Sequence, residues 1–343
     1  MAVQIDPTGN KIDVTDREGK LLRIDPPNTL VRVTSPGGAS ATFFPEVGFN
    51  LIDWQVPVGE ETVGMVHAEP DVLSGGSGTR SGIPILFPFP NRIAGASFQF
   101  RGQDYELSPA KPGDPNAIHG FCAKTAWRDF TKVDESSVAA TFRISRDASD
   151  RLREWPGDLE LRMTFTLADT SLRISALVTN VDDKPVPFGL GYHPYFSSLG
   201  DTSVDELLVE CRASNYWVLK DSIPTGEVRP VSGDTDLRSS TILGARQLDD
   251  ILTGLRPFVP DSDGLMERAT MTGSAVKLAV RCDSSFRDLV AFTPPNREAF
   301  ALEPYTCPTD AVHLTERGLD VGWRVLDSGE SWRGTVALCA YPR

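Results

Sequence analysis

The sequence predicts an all-β protein, a large antiparallel sandwich, and three observations carry that prediction. Apolar residues recur at every second position through most segments, the pattern of a strand with one buried face. Twenty-six prolines and 29 glycines punctuate the chain at short intervals, a spacing suited to turns between short strands. Helical periodicity is scarce, and no alternation of strands with helices suggests a parallel sheet.

Taken in chain order, LVRVTSP (30–36) and SATFFPEV (40–47) are the first strand candidates. SFQFRGQDYEL (97–107) reads as a hairpin in which Phe98 and Phe100 pair with Tyr105 and Leu107 around a turn at Arg101–Asp104. SVAATFRIS (137–145) is a strand, and the best helical pattern in the chain follows at Asp147–Trp155. In LELRMTFTL (159–167), Leu159, Leu161, Met163, Phe165 and Leu167 share one face. ADTS (168–171) turns the chain, and LRISALVTN resumes the alternation with Leu172, Ile174, Ala176 and Val178. DELLVECRA (205–213) is a strand, while ARQLDDILTGL (245–255) reads as a turn or short helix. AVKLAVRC (275–282), RDLVAFTPP (287–295), FALEPY (300–305) and TVALCAY (335–341) complete the set. No low-complexity linker or internal repeat divides the 343 residues, so a single domain over 1–343 is expected.

A formal charge of −13 argues against nucleic acid as a partner, because phosphate is repelled overall. The N-terminal residues lack the basic and apolar regions of a secretory signal, and no run approaches the roughly 18 apolar residues of a membrane span. The five cysteines, Cys122, Cys211, Cys282, Cys307 and Cys339, are scattered and odd in number, which predicts free thiols in a reducing compartment. A cytoplasmic protein, monomeric or homodimeric, with no membrane partner is the expectation.

Chemistry-bearing motifs are few. The four histidines, His67, His119, His193 and His313, form no metal-ligand spacing. GGSGTRSG (75–82) lacks the ending of a phosphate loop and reads as a flexible loop; no serine-nucleophile elbow is present. Two histidines stand in unusual settings. NAIHGF sets His119 before a glycine, where the backbone can turn sharply. GLGYHPYF (189–196) sets His193 before Pro194, which favours an extended backbone, and among aromatic rings that offer a sugar a flat apolar surface. Each histidine read alone is more often a structural residue than a catalyst. In ALEPYTCPTDAV (301–312), Glu303 falls in an apolar strand, where a carboxylate is costly to bury without a partner. It reads either as a satisfied end-of-strand group or as a carboxylate tuned for proton transfer.

PFPNRIAGASFQFRGQDYEL (88–107), NAIHGF (116–121), GLGYHPYF (189–196), IPTGEVRPV (223–231), QLDDILTGL (247–255) and LEPYTCP (302–308), in this order, resemble the aldose 1-epimerase (galactose mutarotase) family over most of the chain. The resemblance implies a large antiparallel β-supersandwich and interconversion of the α- and β-anomers of a hexose, with no metal or other cofactor. It implies that Glu303 is the general base and His193 the general acid. It further implies that Asn91 and Arg92 match the Asn-Arg motif whose arginine contacts sugar hydroxyls, that His119 hydrogen-bonds near the ring oxygen, and that Asp249, with Asp250 adjacent, binds hydroxyls. Tyr195 is expected beside the sugar. A carboxylate and an imidazole on opposite sides of the sugar would remove the C1 hydroxyl proton and protonate the ring oxygen. Tyr192 and Pro194 flank His193 where galactose mutarotases have Asn and Ser or Thr, so the motif looks more like a less characterised bacterial branch, proposed mutarotases for sulfonated sugars among its members. An anionic hexose is therefore an alternative substrate, with Arg80 or Arg128 as a rim cation. A non-catalytic sugar-binding protein, or a hydrolase using Asp249 and Glu303, are the others.

Overall fold

The computed structural model describes residues 30–73, 78–255 and 261–343, together with the backbone of two paired strands at Asp13–Thr15 and Leu21–Arg23. The first twelve residues and Gly75–Ser77 of the glycine-rich run lie outside the described residues. The remainder of that run forms a short 3-10 turn at Gly78–Arg80.

Period-two alternation produces the expected strands. Leu159–Ala168 and Ser171–Asn180 pair antiparallel with Leu161 opposite Val178, Met163 opposite Ala176 and Phe165 opposite Ile174. Leu159, Leu161, Met163, Phe165 and Leu167 are each no more than 2 % exposed. Burying side chains of this size stabilises the fold by about 1.5–3 kcal/mol each. The two strands lie inside a nine-stranded sheet that also contains Ser137–Arg143, Val276–Cys282, Met266–Thr272 and the long C-terminal strand Ser331–Pro342.

A second, eight-stranded sheet holds, in spatial order, Ile223–Pro230, Ala213–Lys220, Asp249–Leu255, Asp288–Phe292, Phe300–Tyr305, Gly191–Tyr192 and Ile85–Leu86, with Tyr195–Phe196 also pairing onto Phe300–Tyr305. A four-stranded sheet runs Val31–Thr34, Ser40–Phe44, Asn50–Val58, Glu61–Gly64. The three sheets share one hydrophobic core. Phe165 packs on Phe43 at 4.9 Å between ring centroids and edge-on to Phe49 at 5.5 Å, which ties the four-stranded sheet to the nine-stranded one. Phe87, just beyond Ile85–Leu86, meets Phe142 of the nine-stranded sheet at 6.4 Å.

Three sequence readings change. Asp147–Trp155 is not one α-helix but an α-turn at Ile144–Asp147 followed by a 3-10 turn at Ser149–Glu154. Pro156 holds Trp155 extended and stops the helix. ARQLDDILTGL is not helical; Asp249–Leu255 is an inner strand, and pairing on both sides overrides its local pattern. In the 97–107 hairpin, Phe98 does face Tyr105, but Phe100 faces Gln103 across a two-residue Arg101–Gly102 turn, and Leu107 falls beyond the ladder. The structure also adds a strand that is not among the sequence candidates: Ile223–Pro230 lies at a sheet edge, where a proline's missing N–H is tolerated.

Candidate active site

The eight-stranded sheet builds the site through register. Gly191 lies opposite Tyr305 and Tyr195 opposite Ala301, so His193 faces Glu303 across the same antiparallel pair. Neither Pro194 nor Pro304 carries a backbone N–H, and the ladder is interrupted there. The His193 N–H instead donates to the Pro84 carbonyl at 3.0 Å. On the other side, Val290 lies opposite Glu303 and Asp249 opposite Phe292. Residues opposite one another project to the same face. One face of four neighbouring strands therefore carries His193 and Tyr195, Glu303 and Tyr305, Phe292, and Asp249. Asp250 alternates to the other side.

His193 Nε2 is 3.3 Å from Glu303 Oε1, and both side chains are nearly inaccessible to solvent. The Tyr305 hydroxyl donates to Glu303 Oε2 at 2.5 Å. Tyr195 stacks on the imidazole at 4.4 Å with 10° between planes, and its hydroxyl lies 3.3 Å from His193 Nε2 while donating to the Thr79 carbonyl at 3.0 Å. Phe292 meets the imidazole edge-on at 5.9 Å.

His119 and Arg92 come from a separate two-stranded piece, Arg92–Ile93 with Ala117–Ile118. Asn91 and His119 both adopt the left-handed region, φ 53° and 62°, and the His119 N–H donates to the Asn91 carbonyl at 2.8 Å. Gly120 follows at φ 65°, where a Cβ would lie 2.2 Å from the Phe87 carbonyl oxygen; the chain can pass this close only as glycine. The result brings His119 within 5.7 Å of His193, ring to ring. The Asn91 side-chain oxygen accepts from Arg92 Nη1 at 2.9 Å and orients the guanidinium.

Burial governs the electrostatics. It pushes the Glu303 carboxyl well above the ordinary carboxylate range; the Asp249 charge adds to this, while the Tyr305 hydrogen bond and Arg92 oppose it. Burial lowers His193 to about 3 and holds His119 well below an ordinary imidazole. Asp249 is exposed to solvent, and partial desolvation raises its carboxyl while Arg92 opposes. The proton shared by His193 and Glu303 therefore resides on the carboxyl. The Nδ1 atoms of His119 and His193 are buried and have no hydrogen-bond partner among the described residues.

Glu303 and His193, expected on opposite sides of a sugar, are direct neighbours 3.3 Å apart. Arg128 is not a rim residue; it lies on Arg128–Lys132 at the edge of the nine-stranded sheet and pairs with Asp147 at 3.3 Å. Arg80 does lie near the site. It lines a cavity of about 380 Å³ with His67, Glu69, Tyr195, Phe292 and Asn296. His313 is bound to Asp310 at 2.7 Å in a short helix, a structural pairing. Among the described residues, those that could hold a metal ion are His67, Glu69 and Glu298, whose ligand atoms lie within 4.8 Å of one another; the Asn296 amide donates to both carboxylates. Sequence reasoning misses Tyr305, although its position two residues after Glu303 on a strand is the available signal.

No helix among the described residues is long and apolar enough to cross a membrane. The chain is similar to the uncharacterised protein YihR of Escherichia coli (strain K12), 26 % identical over 251 residues, covering 73 % of this chain and 76 % of YihR. A galactose mutarotase-like protein from Clostridium acetobutylicum superposes with a TM-score of 0.79 at 20 % identity, covering 92 % of this chain and 96 % of that one. The galactose 1-epimerase of Lactobacillus acidophilus NCFM superposes at 0.70 with 17 % identity, covering 97 % and 98 %. These solved structures share the fold, the galactose mutarotase-like sandwich. The family model for aldose 1-epimerase matches residues 29–339, and the chain belongs to the aldose 1-epimerase family.

Proposed function

We propose that the protein is a mutarotase that interconverts the anomers of a hexose, with Glu303 as base and His193 as acid. Family membership supports a sugar epimerase, and the fold shared with a protein named galactose 1-epimerase is consistent with that chemistry. The observation that carries the mechanism is the buried His193–Glu303 pair at 3.3 Å, ringed by Arg92, His119 and Asp249.

Transfer of the shared proton from Glu303 to His193 creates base and acid together. Glu303 then takes the proton of the C1 hydroxyl as the C1=O double bond forms. The C1–O5 bond breaks, its electron pair goes to the ring oxygen, and His193 protonates that oxygen. Rotation about C1–C2 presents the other face of the aldehyde. The steps then reverse: the O5 hydroxyl returns its proton to His193 while attacking C1, and Glu303 returns its proton to O1. Substrate and product are isomers, so no electron or group is gained or lost. Arg92 and Asp249 hold sugar hydroxyls, His119 offers a hydrogen bond through a nitrogen without a protein partner, and Tyr195 supplies an apolar face.

A second reading, an anionic hexose as substrate, is favoured by Arg80. It is exposed, lines the cavity beside Tyr195, and makes no hydrogen bond or ion pair among the described residues. Glu69 in the same cavity opposes it.

The test is polarimetry on freshly dissolved α-D-glucose, α-D-galactose and an α-hexose 6-phosphate, with wild type and Glu303→Gln. Faster decay to the same final rotation, lost in the variant, is expected. A lower KM for the phosphate, abolished by Arg80→Ala, would establish the anionic substrate. Binding without acceleration for every sugar would mean a recognition protein, and the catalytic roles would fall.

A further inference from the structure

We propose that Tyr305 is a positioning residue of this site: its hydroxyl fixes one oxygen of Glu303 so that the other is presented to His193 and to the substrate. The proposal rests on the acid/base reading above. The two carboxylate oxygens have separate partners, Tyr305 on Oε2 at 2.5 Å and His193 near Oε1 at 3.3 Å. A carboxylate held at one oxygen cannot rotate without breaking that bond.

The tyrosine is itself tightly held. It is fully buried, in one hydrophobic cluster with Leu86, Trp217, Ile251 and Val290. Gly191, opposite in the ladder, makes room for the ring: a Cβ there would lie 2.5 Å from Tyr305 Cδ1. Packing alone would be met by phenylalanine, and a buried phenol is costly unless its hydroxyl is bonded. Here the hydroxyl bonds Glu303.

A second consequence concerns proton affinity. The groups facing Glu303 are Asp249 from the strand beyond Asp288–Phe292, His193 and Tyr195 from the neighbouring strand on the other side, Arg92 from the separate two-stranded piece, and Tyr305 from its own strand. Asp249 favours the protonated carboxyl, whereas Arg92 and the Tyr305 donor favour the carboxylate. Removing the hydroxyl therefore makes Glu303 harder to ionise.

The experiment uses the full chain carrying Tyr305→Phe. The alkaline limb of kcat/KM for mutarotation, where the His193–Glu303 pair loses its one proton from Glu303, is expected to move up by about one pH unit or more, with KM changed less than about twofold. A uniform fall in kcat with an unmoved limb would mean a merely structural tyrosine and would overturn the proposal. A ¹³C NMR titration of glutamate-labelled protein, with the Glu303 resonance identified from Glu303→Gln, reads the same shift without turnover. If no sugar is turned over yet the Glu303 titration moves, the acid/base reading fails and the Tyr305 hold on Glu303 stands. An unmoved titration sinks the proposal. Should Tyr305→Phe not fold, replacing Tyr305 by 3-fluorotyrosine keeps the shape and strengthens the donor. The Glu303 titration is then expected to move down, and no movement would again overturn the proposal.

Discussion

The two faces of the eight-stranded sheet are made by the same strands and differ in almost everything else. One face presents Tyr192, Leu252, Leu289, Ala291, Phe300 and Leu302 to the main core, all buried. The other presents His193, Tyr195, Asp249, Asp288, Glu303 and Tyr305, where burial strongly shifts the proton affinity of His193, Asp288 and Glu303. The comparison shows how the alternation of a sheet lends precision to a site. Each reactive side chain on one face is flanked in sequence by residues locked into packing on the other. His193 sits next to Tyr192, and Glu303 next to Leu302, so moving either group would require repacking the core.

If that division holds, mutations on the two faces should separate activity from stability. The largest effect is expected for His193→Asn, a fall in mutarotation rate of about 10²–10⁴-fold by polarimetry, with a melting temperature close to wild type. A variant that melts many degrees lower would break the comparison. Next, Leu302→Ala removes a fully buried core residue and should cost about 2–5 kcal/mol in urea unfolding, with the rate of the folded protein little changed. A rate loss matching that of His193→Asn would show the faces to be inseparable.

The smallest effect comes from a carboxylate on the polar face that acts on stability alone. Asp288 is buried beside Trp217, whose Nε1 donates to it at 3.1 Å, and burial raises its carboxyl to about 6. The folded state thus holds this proton more tightly than the unfolded chain. The stabilisation is full below the unfolded value and is lost as pH rises through about 6, a change of about 3 kcal/mol at most from the size of the shift. Asp288→Asn should remove that component, flattening stability against pH between about 4 and 7 in urea titrations. An unchanged slope would assign the pH dependence to other groups.

The period-two pattern makes both faces legible in the amino-acid sequence, because a strand states its own alternation. It also marks His193 and Glu303 as misfits: an imidazole before proline, and a carboxylate in an apolar strand. It does not show that they are partners, since register between strands is set by the assembled sheet. Asp249–Leu255 escapes for the same reason; its local sequence is ambiguous until neighbours pair with both edges. Arg128 misleads because an arginine on a strand looks alike at a pocket rim and at a sheet edge. Tyr305 reads as core, and its role depends on a hydrogen bond to a side chain two residues away that composition does not encode.

The facing of His193 and Glu303 across the ladder also constrains how the gene can vary. One residue inserted or deleted within 191–196 would break the phase between Gly191 and Tyr195, turning the side chains on one side of the change to the wrong face of the sheet. Only changes of two residues preserve the phase. These strands are therefore open to substitution but closed to single-codon length change, whereas the turns between them can lengthen freely. Length variation across a lineage of such proteins should accordingly collect in the connections and spare the short run from Gly191 to Phe196.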